Sequence, residues 1–400
     1  MRKLLLIAAA MFSLGSMAQS PLRLTKEFKM AGNNLKVSNL MKAKMPSAST
    51  KTMAKAPAKA APEGESRTYY LDFDNYLDGI GTAPESHRKT EVIFGDNNKV
   101  YIKNMLYASI FDTYIEGNLD GNTITIPTGE VLATYNGDNF VLCNMTTQET
   151  TDENGETITT IVMDPNNDFT LTYDEGSGII TSADNGFIGL ATEDLMGVYT
   201  VAGVMQFIPE ELFPAADEHE YTYDHTDYST ASQTINSTLQ IINLGELCYI
   251  KGLLPEIAPD AWVYGFIMDN NLVIPSIQVI DEDMGMACTF MDTSVGSLIS
   301  SGVLAYDAES DSYTLSDYSL TNLFANYNSQ GYISGLAYSD IYDNLKIKST
   351  TTGINKVESS DANVVSTEYF DISGRRINSA QKGINVKVMK FSDGTTKTVK

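Results

Sequence analysis

One stretch occurs twice in this 400-residue chain and constrains its folding more than any other feature. The first copy, YIKNMLYASIFDTYIEGNLDGNTITIP, runs over 101–127. The second, YIKGLLPEIAPDAWVYGFIMDNNLVIP, runs over 249–275. The register is ungapped, every residue lying 148 positions from its counterpart. Tyr101, Ile102, Lys103, Leu106, Asp112, Gly117, Asn122, Ile126 and Pro127 recur as Tyr249, Ile250, Lys251, Leu254, Asp260, Gly265, Asn270, Ile274 and Pro275. Tyr114 is matched by Trp262. A shared period this long predicts two copies of one folding unit, here 66–208 and 217–349, joined by a linker at 209–216.

Both units read as all-β. Short apolar runs alternate with turn chemistry: EVIF, Gly95-Asp96-Asn97-Asn98, KVYIK; then TYIEG, Asp120-Gly121-Asn122, TITIP. Asn-Gly and Asp-Gly accept positive φ, which makes them strong hairpin signals between alternating runs. The expected fold is a pair of tandem antiparallel meanders, each the size of a small barrel or sandwich. TTQETTDENGETITT has no counterpart in the second unit and reads as an extended, exposed hairpin.

Charge narrows the partners. Residues 66–350 carry 43 Asp plus Glu against 8 Lys plus Arg. So acidic a body repels nucleic acid and anionic lipid, and tolerates cations, basic proteins or neutral glycans. The three cysteines, Cys143, Cys248 and Cys288, cannot all pair within one chain. Cys248 and Cys288 fall at strand positions and read as buried thiols, with a disulfide between them as the alternative.

The ends give an address. Arg2 and Lys3, the apolar Leu4 to Leu14 and the small Ser16-Met17-Ala18 make 1–18 a signal peptide. Residues 19–65 are Ala-, Lys-, Ser- and Pro-rich, net basic, and read as a flexible linker. No stretch is long and apolar enough for a transmembrane span. At the C-terminus come Tyr369-Phe370-Asp371-Ile372-Ser373-Gly374-Arg375-Arg376, then Lys382-Gly383-Ile384, then Phe391-Ser392-Asp393-Gly394 and a basic last strand with Lys397 and Lys400. This tail resembles the C-terminal sorting domain of type IX secretion cargo from Bacteroidetes, although Asn385 stands where that family has an aromatic residue. The resemblance implies a small β-sandwich over 354–400 that engages the secretion machinery through Gly374, Arg375, Lys382, Gly383, Lys397 and Lys400. It implies a secreted or cell-surface protein exported through the periplasm. The repeated units are also similar to uncharacterised secreted proteins of the same bacteria, a likeness that names no activity.

Candidate chemistry is sparse. His87 stands alone in a polar stretch. His219 and His225, six apart among carboxylates, would share a strand face and can be weighed as metal ligands, but lack an established metal-site spacing. DFDNYLDG places Asp72, Asp74 and Asp78 close enough to offer calcium (Ca2+) hard oxygens, although Tyr76 and Leu77 break the EF-hand pattern. No GxSxG or SxxK stretch has a partner base, and no carboxylate pair can be assigned to glycoside hydrolysis. Aromatic residues beside Asp and Asn offer the better lead, since sugar rings stack on such faces. The candidate ligand-binding residues are Tyr114, Trp262, Tyr264, Asp112 and Asp260. The expected function is a non-catalytic binding or adhesion module for a glycan or a host protein. The alternatives are a structural surface component and a carbohydrate-active hydrolase. An exposed aromatic platform would favour binding, a cleft with paired carboxylates the enzyme, and a closed barrel with an apolar cavity a small hydrophobic ligand.

Overall fold

The computed structural model describes residues 61–351 except for short segments (78–79, 107–112, 136–137, 152–154, 156, 184–185, 228–230, 283–284 and 328–332), together with strands at 35–37, 364–370, 376–377, 386–391 and 396–399. The described residues contain strands and two 3-10 turns, and no α-helix. Among them, no helix is long and apolar enough to cross a membrane.

The first half closes an eight-stranded antiparallel barrel. Its strands are β1 (Glu65–Leu77), β2 (Gly81–Phe94), β3 (Lys99–Lys103), β4 (Tyr114–Asp120), β5 (Thr123–Ile126), β6 (Phe169–Tyr173), β7 (Ile180–Ser182) and β8 (Val198–Pro209). Each pairs with the next, and β8 returns to β1 through Phe207 opposite Leu71. The second half does the same with β9 (Asp217–Thr226), β10 (Gln233–Asn243), β11 (Leu247–Lys251), β12 (Trp262–Met268), β13 (Asn271–Pro275), β14 (Ser301–Asp307), β15 (Ser312–Leu315) and β16 (Ile341–Thr351). Here Ile347 closes on Tyr221. The barrel thus resolves the choice between barrel and sandwich.

Alternation dictates what lies inside. In the first barrel Tyr69, Leu71, Val100, Ile102, Ile124 and Phe207 are buried in one cluster; in the second, Tyr221, Tyr223, Ile250, Leu272, Ile274 and Ile347. An eight-stranded barrel is just wide enough to be filled by its own side chains. The loop after β3 caps the first barrel with Met105 and Leu106, and the loop after β11 caps the second with Leu253 and Leu254. This is the physical content of the repeated stretch: strand, cap, strand, hairpin. Its registers coincide, Tyr101 facing Glu116 as Tyr249 faces Tyr264.

The repeated glycine has a steric reason. A Cβ on Gly117 would lie 2.9 Å from Ile124 Cγ2, and one on Gly265 would lie 3.2 Å from Leu272 Cδ1. Valine at either position overfills the barrel, and Gly117→Val or Gly265→Val is expected to cost about 1–3 kcal/mol, read as a lowered Tm. A variant melting with the native chain would show that the interior has slack.

Inserted strands flank the barrels. Asp138–Thr151 and Thr157–Met163 pair as a long hairpin whose outer part, 146–160, is the stretch without a counterpart. Leu35–Val37, within the stretch expected to be a linker, pairs parallel to Thr157–Met163. A single 3-10 turn, Glu210–Leu212, carries the chain between barrels. The C-terminal strands Val364–Phe370, Arg376–Ile377, Val386–Phe391 and Thr396–Val399 make one four-stranded antiparallel sheet.

Candidate functional site

The site is built where a bulge breaks the meander. In the β1–β2 pair Leu71 faces Arg88 and Phe73 faces Glu85, so Asp72 opposes both Ser86 and His87. Bulges re-aim side chains, and this one does so twice. His87 takes φ of 54°, and its backbone N–H donates to Asp72 Oδ1 at 2.6 Å. Ser86 is swung out to pair with Trp262 of β12, bridging the barrels. Asp72 also accepts a 2.5 Å hydrogen bond from the Tyr249 hydroxyl of the second barrel. Burial, and then the Asp72 carboxylate, hold the Tyr249 phenol well above its ordinary pKa, so it remains the donor.

Between the barrels lies a cavity of 710 Å3, bounded by Tyr70, His87, Lys89, Phe213, Lys251 and Trp262 among others. The His87 ring stacks on Tyr70 with centroids 3.7 Å apart and planes 7° from parallel. Trp262 meets its edge at 4.7 Å and Phe213 at 4.5 Å. The result is an aromatic wall running from the first barrel to the second. His87 is 1 % exposed, and neither ring nitrogen has a hydrogen-bond partner. Desolvation pushes its pKa down to about 3, so the imidazole is neutral.

Charges frame this wall. Arg88 donates to Glu85 at 3.2 Å and to Glu282 at 2.7 Å; Glu282 follows the strand Gln278–Asp281, inserted between β13 and β14 of the second barrel. Its other terminal nitrogen donates to the carbonyls of Asn104 and Met105 in the cap loop. Lys89 meets Glu210 at 3.4 Å and Lys251 meets Asp260 at 2.8 Å, both pairs at the solvent edge. The Tyr70 hydroxyl donates to Glu210, and burial raises its pKa.

The chain matches no family model, no curated protein and no solved structure.

The sequence candidates separate in space. Trp262 and Asp260 border the cavity. Tyr264 shares the outer face of β12 with Trp262 but is 3 % exposed, with Gln278 bonded to its backbone on both sides. Tyr114, at the register of Trp262, is buried on the first barrel and donates to Glu91 at 2.8 Å. Asp112 lies outside the described residues. Of the proposed calcium oxygens, Asp72 is engaged by His87 and Tyr249, and Asp78 lies outside the described residues. Among the described residues no three His, Cys, Asp or Glu side chains are grouped to hold a metal. His219 bonds the Lys348 carbonyl and His225 bonds Asp340, so the two histidines serve different partners. The three thiols are free and buried, and burial pushes Cys248 and Cys288 up to about 12 and Cys143 up to about 11. Of the sorting residues Lys397 falls in the strand Thr396–Val399, while Gly374, Arg375, Lys382, Gly383 and Lys400 lie outside the described residues.

Sequence reasoning missed Tyr70, Arg88, Lys89, Phe213, Tyr249 and Lys251, and placed His87 in a polar loop. His87 is instead buried in a bulged strand. One signal was present: Arg88, Lys89 and Lys251 are three of only eight cationic residues in 66–350, and all three reach this cavity.

Proposed function

We propose that this chain is a secreted or cell-surface binding protein without a catalytic role, and that it takes a glycan in the cleft between its barrels. The partly exposed rings of Tyr70 and Trp262, held on either side of the buried His87, carry the reading. Sugar rings offer C–H faces that pack on aromatic rings and hydroxyls that both donate and accept hydrogen bonds. The cleft supplies both needs, with Lys89, Lys251, Glu210 and Asp260 at its rim. A small hydrophobic ligand is less well served, because the cavity lies between the barrels and their interiors are packed with side chains. Glu85 and Glu282, the most buried carboxylates of the cleft rim, are both tied to Arg88, which fits a structural use better than acid–base work. Export rests on the signal peptide at 1–18 and the type IX-like tail at 354–400.

Trp262 is the only tryptophan, so its emission reports on the cleft directly. Titration of the chain with a panel of neutral and acidic oligosaccharides is expected to give a saturable emission change without product formation. Trp262→Ala is expected to weaken binding at least tenfold, equivalent to about 1.4 kcal/mol. Silence across the panel in both emission and thermal shift would remove the glycan reading.

A further inference from the structure

Two cross-strand pairs open onto the same cavity. On the first barrel Tyr70 faces Lys89 across β1 and β2. On the second Trp262 faces Lys251 across β11 and β12. Directly paired residues share a face of the sheet, so each barrel presents one aromatic ring with one ammonium beside it. Between the two pairs sits the buried His87, whose ring stacks on Tyr70 and meets Trp262 edge-on, so it spaces the two aromatic rings.

Resting on the glycan reading, we infer that the cleft selects an oligosaccharide bearing a single carboxylate sugar, a uronic or sialic acid. Its ring packs on the aromatic wall and its carboxylate lies against Lys89 and Lys251. The lysines are available for this. Each is held by one carboxylate at the solvent edge, Glu210 being 48 % and Asp260 90 % exposed, and such pairs are worth little in water. Arg88 is not available, because its terminal nitrogens are spent on Glu282, Glu85 and two carbonyls. The acidic body bounds the ligand's size. Charges farther than about 8–10 Å are screened at physiological salt, so one carboxylate in the cleft feels mainly the lining charges, Arg88, Lys89 and Lys251 against Glu85, Glu210, Asp260 and Glu282, and gains where it displaces the exposed partners of the two lysines. A long polyanion would run out over a surface with 43 carboxylates and be repelled.

The test is calorimetric titration of the full mature chain with sialyllactose, with a glucuronate-terminated trisaccharide and with the methyl ester of each. At least one acid is expected to bind tenfold or more tighter than its ester. The Lys89→Gln/Lys251→Gln double variant should abolish that preference while leaving the weaker binding of the ester. Asp260→Asn, which removes a competing carboxylate, is expected to tighten the acid about threefold, a gain that no folding defect can mimic. Equal binding of acid and ester, or a preference that survives in the double variant, overturns the inference and leaves the neutral-glycan reading standing. Failure of acids, esters and neutral sugars alike removes both.

Discussion

Arg88→Ala is expected to cost about 3–5 kcal/mol. The guanidinium side chain is 14 % exposed and Glu282 is 9 % exposed, so neither charge is well solvated. The fork reaches Glu85 on its own strand, the cap carbonyls of Asn104 and Met105, and Glu282 on the second barrel's insert. The guanidinium carbon also lies 4.4 Å from the Phe73 ring centroid. Alanine leaves two carboxylates facing each other in a half-dry interface. The remedy is specific: Arg88→Met with Glu85→Gln and Glu282→Gln removes the stranded charges and is expected to recover most of the loss. Urea midpoints of the single and triple variants decide it. A loss below about 1 kcal/mol would class this pair with solvent-exposed ion pairs. Cleft binding should fall with stability, since the same contact joins the barrels that form the cleft.

Each antiparallel meander could be anticipated from local rules; its closure into a barrel and the cleft could not. Asp120-Gly121-Asn122, the alternation of Ile102, Ile124 and Ile126, and the inward Gly117 and Gly265 are short-range signals whose meaning depends on strand neighbours. The same is true of Leu106 and Leu254, which recur because each caps a barrel. Closure needed more, because the pairing of Phe207 with Leu71 spans most of the unit. The cleft depends on where the barrels differ. Tyr101 and Tyr249 are equivalent in the repeat, yet only Tyr249 is nearly fully buried, under Asp72 of the other barrel. Tyr114 and Trp262 are likewise equivalent, and only Trp262 borders the cavity. Repetition pointed to shared positions, so it favoured Tyr114 and Asp112 and passed over Ser86 to Lys89. Those four residues look like a polar loop because a bulge interrupts their alternation.

Acid is expected to unfold this protein through His87. The ring sits among Tyr70, Phe213, Tyr249 and Trp262, and its pKa is pushed from about 6.5 down to about 3 by desolvation alone. Above pH 6.5 neither the folded nor the unfolded chain holds the extra proton. Below it the unfolded chain binds one and the folded chain does not, so stability falls by about 1.4 kcal/mol per pH unit until about pH 3. The full loss approaches about 5 kcal/mol, and about 2 kcal/mol of it falls between pH 6.5 and 5, before most carboxylates titrate. His219 and His225 are common to the native chain and to His87→Phe, so the difference in slope between the two isolates His87. Phenylalanine must adopt the same φ of 54°, a strain the histidine already bears, so the exchange leaves the slope untouched. Urea unfolding at half-unit steps from pH 7.5 to 5 gives both slopes. Parallel slopes would mean that the imidazole finds a proton acceptor or water in the folded protein. A flatter slope in the variant would mean that a neutral, unpartnered histidine is held beside the cleft at the expense of acid stability.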